Sequence, residues 1–329
     1  MKQTIIFIVL IIILYFINII IKKNNNKEYT FLSFEHTNIY RGLATLMIII
    51  SHVGSAYGTR ITTPLGGVGV AIFLISAGFG LNESYKKSKG KNFWTKKIFR
   101  VFFPYLLLIC IDIIIDIVMK ESISIPSYWY IGFIFFWYFV FYLLIKIPKI
   151  YDKKYIILGI ISICVFAFTP EIQSEQAISF TLGIYISDKL KNNEKLLKNR
   201  TYIFLIILGI TLLIIKQIPV VRNIQNNLIW NIIQLIMKLS FAFLIILLTY
   251  KYQKVFTNIM LKILGNASFE FYIVHYSRLL NLVNSENYIL GMMLFVIFTF
   301  ILSELLYIIT KKVKKEIEYK LSKNEIKLY

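Results

Sequence analysis

The chain has 329 residues, of which 57% are hydrophobic and only 16% charged, and its mean hydropathy is +0.69. A water-soluble fold cannot hide that much apolar surface, so the composition excludes one and points to a helical membrane protein. A formal net charge of +20 would suggest nucleic acid in a soluble protein; here the Lys and Arg lie between apolar runs, where cytoplasmic loops carry them, and no nucleic-acid partner is expected.

Apolar periodicity and length give eleven candidate spans in chain order: 3–21, 39–57, 66–82, 99–118, 128–147, 154–169, 176–188, 201–217, 228–250, 267–283 and 288–310. Most reach the roughly 18–20 residues that cross a bilayer, and the sixth and seventh are short. The first has no small-residue cleavage site and is followed by "KKNNNK", so it reads as a retained anchor rather than a signal peptide. "YKKSKGKNFWTKK" reads as a basic loop, and "KKVKKEIEYKLSKNEIKLY" as a polar, basic tail.

Charge sets the orientation. The loops 22–41, 83–100, 146–154, 188–200 and 251–262, together with the tail, carry thirty Lys and Arg, against five on the other side: Lys2, Arg60, Lys120, Lys216 and Arg222. Lys238 and Arg278 fall inside spans. This predicts a multi-pass cell-membrane protein with the N-terminus outside and the C-terminus in the cytoplasm.

The second span contains "RGLATLMIIISH". On a helix, Arg41 stands at the cytoplasmic mouth and His52 about 16 Å deeper, at about 1.5 Å per residue. Eleven steps of about 100° bring both to within about 20° of one face. Arg41 as an interfacial anchor to lipid phosphates and His52 as a packing residue are the plain alternatives. Ionisable groups inside a membrane are nevertheless functional candidates by default.

Other residues leave alternatives open. Gly66, Gly67, Gly69, Gly78 and Gly80 fit close helix packing or backbone approach to a ligand. Asp112 and Asp116 share a helix face and could orient a histidine or pair with Lys238 or Arg278. Glu270 and Glu304 are similarly open. His36 falls in a cytoplasmic loop without a constellation. Cys110 and Cys164 lie in apolar runs and read as small hydrophobes. No metal-ligand cluster, phosphate loop or dinucleotide fingerprint is present, so no metal and no bound cofactor are expected.

Five segments in order resemble the acyltransferase-3 family of integral-membrane acyltransferases, which are O-acyltransferases of cell-surface glycans. "NIYRGLATLMIIISH" is similar to its Arg-x10-His opening, and "GVGVAIFLISAGFG" to its Gly-Val-x-x-Phe-Phe-x-x-Ser-Gly-Phe segment. "FWTKKIFRVFFPYLL", "SYWYIGFIFFWYFVFYLL" and "LGNASFEFYIVHYSRLL" are similar to its basic loop, its aromatic span and its closing histidine element. The chain departs from the family at Asn38, where Asp is frequent, at Ala77-Gly78, where Ser-Gly is expected and Ser76 falls one place early, and at Lys97, where the family has Arg.

The resemblance implies an all-α, polytopic bundle of about eleven spans, a ten-span core plus one N-terminal span. It implies an organisation of 1–36 as anchor and cytoplasmic linker, 37–310 as membrane acyltransferase domain and 311–329 as basic cytoplasmic tail. It implies transfer of an acyl group, often acetyl, from cytoplasmic acyl-CoA to a hydroxyl of a cell-surface polysaccharide or lipid-linked sugar. On that reading His52 is the catalytic base, Arg41, Lys97 and Arg100 bind CoA phosphates, and Ser76 and His275 contact substrate. Acyl-CoA is then a donor substrate, and the partners are the glycan acceptor and membrane lipids. A transporter or flippase of lipid-linked sugars is the main alternative; it predicts inverted repeats and paired broken helices, which the sequence does not show. A glycan polymerase or non-catalytic scaffold would call for a large polar outer loop, and the outer loops are short.

Overall fold

The computed structural model describes residues 1–21, 28–120, 122–123, 128–190, 197–223 and 227–326, and side chains are described outside 17–21, 318 and 320–326. The described residues are helical and include no strand. In chain order the main helices are α1 (Lys2–Ile21), α2 (Phe34–Ala56), α3 (Thr63–Ser88), α4 (Phe93–Lys97), α5 (Phe103–Met119), α6 (Trp129–Lys146), α7 (Lys154–Phe168), α8 (Ser179–Tyr185), α9 (Asn199–Ile215), α10 (Leu228–Lys251), α11 (Ile259–Asn266), α12 (Ser268–His275) and α13 (Tyr288–Ile326). They fall into two compact units. The first comprises Met1–Gly90 and Phe133–Asn266, the second Lys91–Gly132 and Ala267–Tyr329.

Six described segments are long and apolar enough to cross a membrane: Phe34–Ala56, Thr63–Ser88, Phe93–Met119, Trp129–Lys146, Leu228–Lys251 and Tyr288–Ile317. Bulky apolar side chains face outward, such as Ile163 at 69% and Phe168 at 83% exposure. Water would penalise such an exterior and hydrocarbon would not, so this is a membrane protein.

Among the described residues these six do not confirm the expected count of eleven. Helices α7 and α9 are apolar but have 15 and 17 residues, roughly 22 and 26 Å against a hydrocarbon core of about 30 Å. The span expected at 176–188 is the seven-residue α8 followed by a π-turn, Ile186–Leu190. Its entry is a polar turn in which Ser174 Oγ donates to the Phe166 carbonyl at 2.7 Å and Ser179 Oγ to Gln176 Oε1 at 3.0 Å. The span expected at 267–283 is also interrupted. Helix α12 stops at His275, and a 3-10 turn covers Arg278–Asn284. Ser277 Oγ donates to the Val274 carbonyl at 2.6 Å, and Arg278 is held by an ion pair with Asp116. Local side-chain bonds thus replace the helical ladder there.

Helix boundaries have readable causes. Ser33 caps α2, its Oγ accepting from the His36 N–H at 3.2 Å. Helix α3 continues into the stretch expected to be a loop and ends where Lys89 and Gly90 take positive φ of 50° and 84°, a left-handed stop suited to glycine. The basic segment 93–100 is therefore helical, not an extended loop: α4 passes through a π-turn, Ile98–Phe102, into α5. Pro104 has no N–H for the Arg100 carbonyl four residues back, and the Phe103 N–H reaches instead to the Ile98 carbonyl. The tail beyond 310 continues α13 as helix to Ile326.

In the first unit two pairs of helices meet backbone to backbone at reciprocal glycines. A Cβ on Gly78 of α3 would overlap the Phe180 carbonyl, and one on Gly183 of α8 would overlap the Ile75 carbonyl. Gly42 of α2 faces the Leu261 carbonyl in the same way, and Gly265 of α11 faces that of Asn38. Small residues permit such approach in the absence of a hydrophobic drive between helices in lipid. Beside these seams, the fully buried rings of Trp137 and Phe180 stack with centroids 5.2 Å apart.

The first unit also contains a dense polar clasp. Asp188 accepts from Asn82 Nδ2 at 2.7 Å and Tyr155 OH at 2.6 Å. Its oxygens also pair with Lys86 at 3.0 Å and Lys154 at 2.5 Å.

Candidate active site

Helix α2 runs unbroken from Phe34 to Ala56, so the helical arithmetic for Arg41 and His52 applies. Both side chains are half-buried on one face, about 16 Å apart along the axis. Between them Thr45 Oγ1 donates back to the Arg41 carbonyl at 2.9 Å, a bond within the helix that leaves the course of α2 intact. Beyond the midpoint α2 lies close to α3: a Cβ on Gly69 would meet the Ala44 carbonyl and Ile48, and one on Gly66 would meet Ser51.

The glycine cluster therefore divides. Gly66, Gly67, Gly69 and Gly78 each make room for a neighbouring side chain or backbone, whereas a Cβ on Gly80 would meet nothing within 4 Å. Close packing explains the first four. Ser76 is partly buried on α3, and its hydroxyl donates to the Ile72 carbonyl at 2.7 Å. Its proton is committed to its own helix, and its oxygen retains lone pairs that can accept.

His36 differs from its expected place in a loop. It lies in the first turn of α2 at 0% exposure. Its Nδ1 accepts from the Leu32 N–H at 3.0 Å. Its Nε2–H faces the Ile246 carbonyl and Thr249 Oγ1, both at 3.1 Å. An imidazole bonded at both nitrogens, with Tyr29 stacked at 5.5 Å, is a packing element. It cannot serve as an indifferent control for substitution of His52.

The second unit holds Lys97, Arg100 and His275. Lys97 lies at the end of α4, half-buried, its Nζ 5.9 Å from the centre of the Phe93 ring. Arg100 is exposed in the π-turn. Lys96, Arg100 and Lys314 of α13 all lie close enough to Lys97 to act on it electrostatically. The contribution of Lys314 is invisible in the sequence beyond the basic "KKVKK" that contains it. Such a group of cations suits a multiply charged anion.

His275 is fully buried at the end of α12. Its Nδ1 lies 2.9 Å from the Phe271 carbonyl. A carbonyl only accepts, so Nδ1 carries the proton and Nε2 of the neutral ring is an acceptor. Tyr272 and Tyr276 flank the ring at 5.9 and 6.2 Å. The open question of Asp116 is also answered. Asp116 pairs with Arg278, and Lys238 pairs with Glu175 instead. Both cysteines are exposed and free.

A helical membrane protein with an Arg-x10-His face on one continuous helix is the class these features define. The model of the acyltransferase-3 domain, described as an acyltransferase domain, matches residues 37–308. The chain belongs to that family and is a membrane acyltransferase. No curated protein and no solved structure matches it.

Proposed function

We propose that the protein is an O-acyltransferase that moves an acyl group, acetyl in the first instance, from cytoplasmic acyl-CoA to a hydroxyl of a cell-surface polysaccharide or lipid-linked sugar. The observation that carries this reading is the continuous α2, which presents one guanidinium and one imidazole on a single face in a chain of an acyltransferase family. Arg41 grips a CoA phosphate through charge-assisted hydrogen bonds. The thin pantetheine arm follows the helix face and brings the thioester toward His52. The imidazole takes the acceptor's hydroxyl proton as its oxygen attacks the thioester carbonyl. Collapse of the tetrahedral intermediate breaks the C–S bond, and the departing CoA sulfur receives that proton. On charge alone, Lys97 and Arg100, with Lys314, suit the donor's anionic groups. Ser76 and His275 offer hydrogen-bond acceptors to substrate. Mass spectrometry of envelope glycans from cells with and without the chain tests this directly. A glycan heavier by one acyl unit only when the chain is present is expected, and identical spectra overturn the reading.

Arg41→Ala is expected to weaken acyl-CoA binding by about 1.5–3 kcal/mol, the range for a hydrogen bond to a charged group, with thermal stability in detergent nearly unchanged. Unaltered CoA affinity in the purified protein would make Arg41 an interfacial anchor.

Orientation is part of the proposal. The charge asymmetry places the turn after α3 in the cytoplasm and the turn after α9 outside. Exposed Lys91 and Asn223 mark the two sides. A cysteine replacing Lys91 is expected to react with an impermeant thiol reagent only after the membrane is opened, and one replacing Asn223 in intact cells. Labelling of both in intact cells would refute the arrangement.

A further inference from the structure

Two carboxylates stand one turn apart on α5, and their surroundings differ. Asp112 and Asp116 are both buried, at 4% and 0% exposure, on one helix face. Asp116 is ion-paired with Arg278. Asp112 is not. Its Oδ2 is buried and takes no hydrogen bond from any described residue, although Arg278 lies within electrostatic reach. The phenol nearest in character to a donor is committed elsewhere: Tyr128, itself within electrostatic reach of Asp112, donates its hydroxyl to the Ile273 carbonyl at 2.7 Å. A buried carboxyl group without a hydrogen bond is costly, above all in a membrane span. Proteins keep such costs where a ligand must be taken up.

The neighbouring segment of the second unit is open to solvent. Helix α12 stops at His275, and the 3-10 turn begins at Arg278. Tyr276, between them, is 45% exposed, and its ring lies 6.0 Å from that of Tyr128. The Arg278 side chain is 33% exposed. Irregular backbone and a part-exposed guanidinium are not tolerated against hydrocarbon, so this break faces water or headgroups. Helix α5 fixes the depth. Asp112 precedes its C-cap Lys120 by eight residues, about 12 Å. In the orientation proposed above, Lys120 is outside, and Asp112 lies in the outer half of the membrane.

We propose that Asp112 binds the acyl acceptor, its unbonded carboxylate oxygen taking a hydrogen bond from a hydroxyl of the acceptor sugar that enters from the outer face past Tyr276 and Arg278. The proposal rests on the acyl-transfer reading and adds the residue that holds the acceptor. A carboxylate only accepts, and a sugar hydroxyl donates. The bond is charge-assisted and so about twice as strong as one between neutral groups. Asp116 has a part in this: by holding Arg278, it keeps the guanidinium from closing on Asp112 and occupying the oxygen that the acceptor needs.

The test uses the full chain purified in detergent, with acetyl-CoA as donor probe and envelope glycan from cells lacking the chain as acceptor probe. Asp112→Leu is expected to lower kcat/KM for the glycan at least about tenfold, of the order of one hydrogen bond to a charged group. Its affinity for acetyl-CoA should stay within about twofold of wild type. Its melting temperature should rise, because an unsatisfied buried group has been replaced by an apolar one of similar size. Asp116→Leu should instead lower the melting temperature, because Arg278 loses its partner. A merely structural acid at 112 would shift stability downward in both variants. Unchanged kcat/KM for the glycan in Asp112→Leu, a parallel loss of acetyl-CoA affinity, or a melting temperature lowered as far as by Asp116→Leu would each overturn the proposal, and failure of Asp112→Leu to fold counts as the last of these. If wild-type protein acylates no glycan, the acyl-transfer reading itself fails; if it does and Asp112→Leu matches it, only the role of Asp112 fails.

Discussion

Replacing His52 with Gln or Asn is expected to abolish acyl transfer, by at least about a hundredfold, while the protein still inserts and folds. That figure is the lower end of what a positioned general base contributes. The reasoning turns on what each side chain can do. Either amide retains a hydrogen-bond donor and acceptor, so a packing role would survive substitution, but neither can take a proton at neutral pH. His52 is half-buried and lies a full turn from the end of α2 at Ala56, so no cap is lost. Glu35→Gln, exposed on the same helix, is the control and should transfer at the wild-type rate. His36 is unsuitable because both its nitrogens are bonded in the interior. The measurements are acylated glycan formed, expression level and thermal stability in detergent. Near-normal transfer by His52→Gln would remove the catalytic assignment while leaving the family intact.

The largest stability effect is expected at Asp188. Its two oxygens receive Asn82, Lys86, Lys154 and Tyr155, tying α3, α7 and the π-turn after α8 together. Asp188→Ala removes the carboxylate and leaves the Lys154 ammonium, at 10% side-chain exposure, with its countercharge gone. Breaking one side of a buried pair costs about 3–5 kcal/mol. Lys86 is 40% exposed and retains Glu83 at 2.8 Å, so solvent screening makes its share small. Adding Lys154→Met should recover part of the loss, because the stranded charge is then gone. Thermal unfolding in detergent reads both. A melting temperature unmoved by Asp188→Ala would show that the clasp contributes little, and failure of the second change to help would show that stranded charge is not the cause.

Much of the candidate site was legible in the chain because one helix carries it. Arg41 and His52 are eleven residues apart on a continuous element, and helical geometry alone fixes their shared face and separation. Lys314 could not be found that way, since its approach to Lys97 joins residues more than two hundred positions apart. The expected loop at 83–100 shrinks to the turn at 89–92, because α3 and α4 carry the basic residues on either side of it on their helix ends.

The sequence by itself determined the solvent, the helical class and the family, because hydropathy, span length and the ordered motifs are local properties of the chain. It could not determine which apolar segments run as full-length helices. Residues 176–188 and 267–283 are apolar enough to read as spans, yet side-chain bonds from Ser174, Ser179 and Ser277 and the Asp116–Arg278 pair interrupt or delimit them. Nor could it choose partners for its intramembrane charges. Asp116 takes Arg278 and Lys238 takes Glu175, because a buried charge must find its opposite among whatever the packed helices bring within reach, and only the tertiary structure sets that distance.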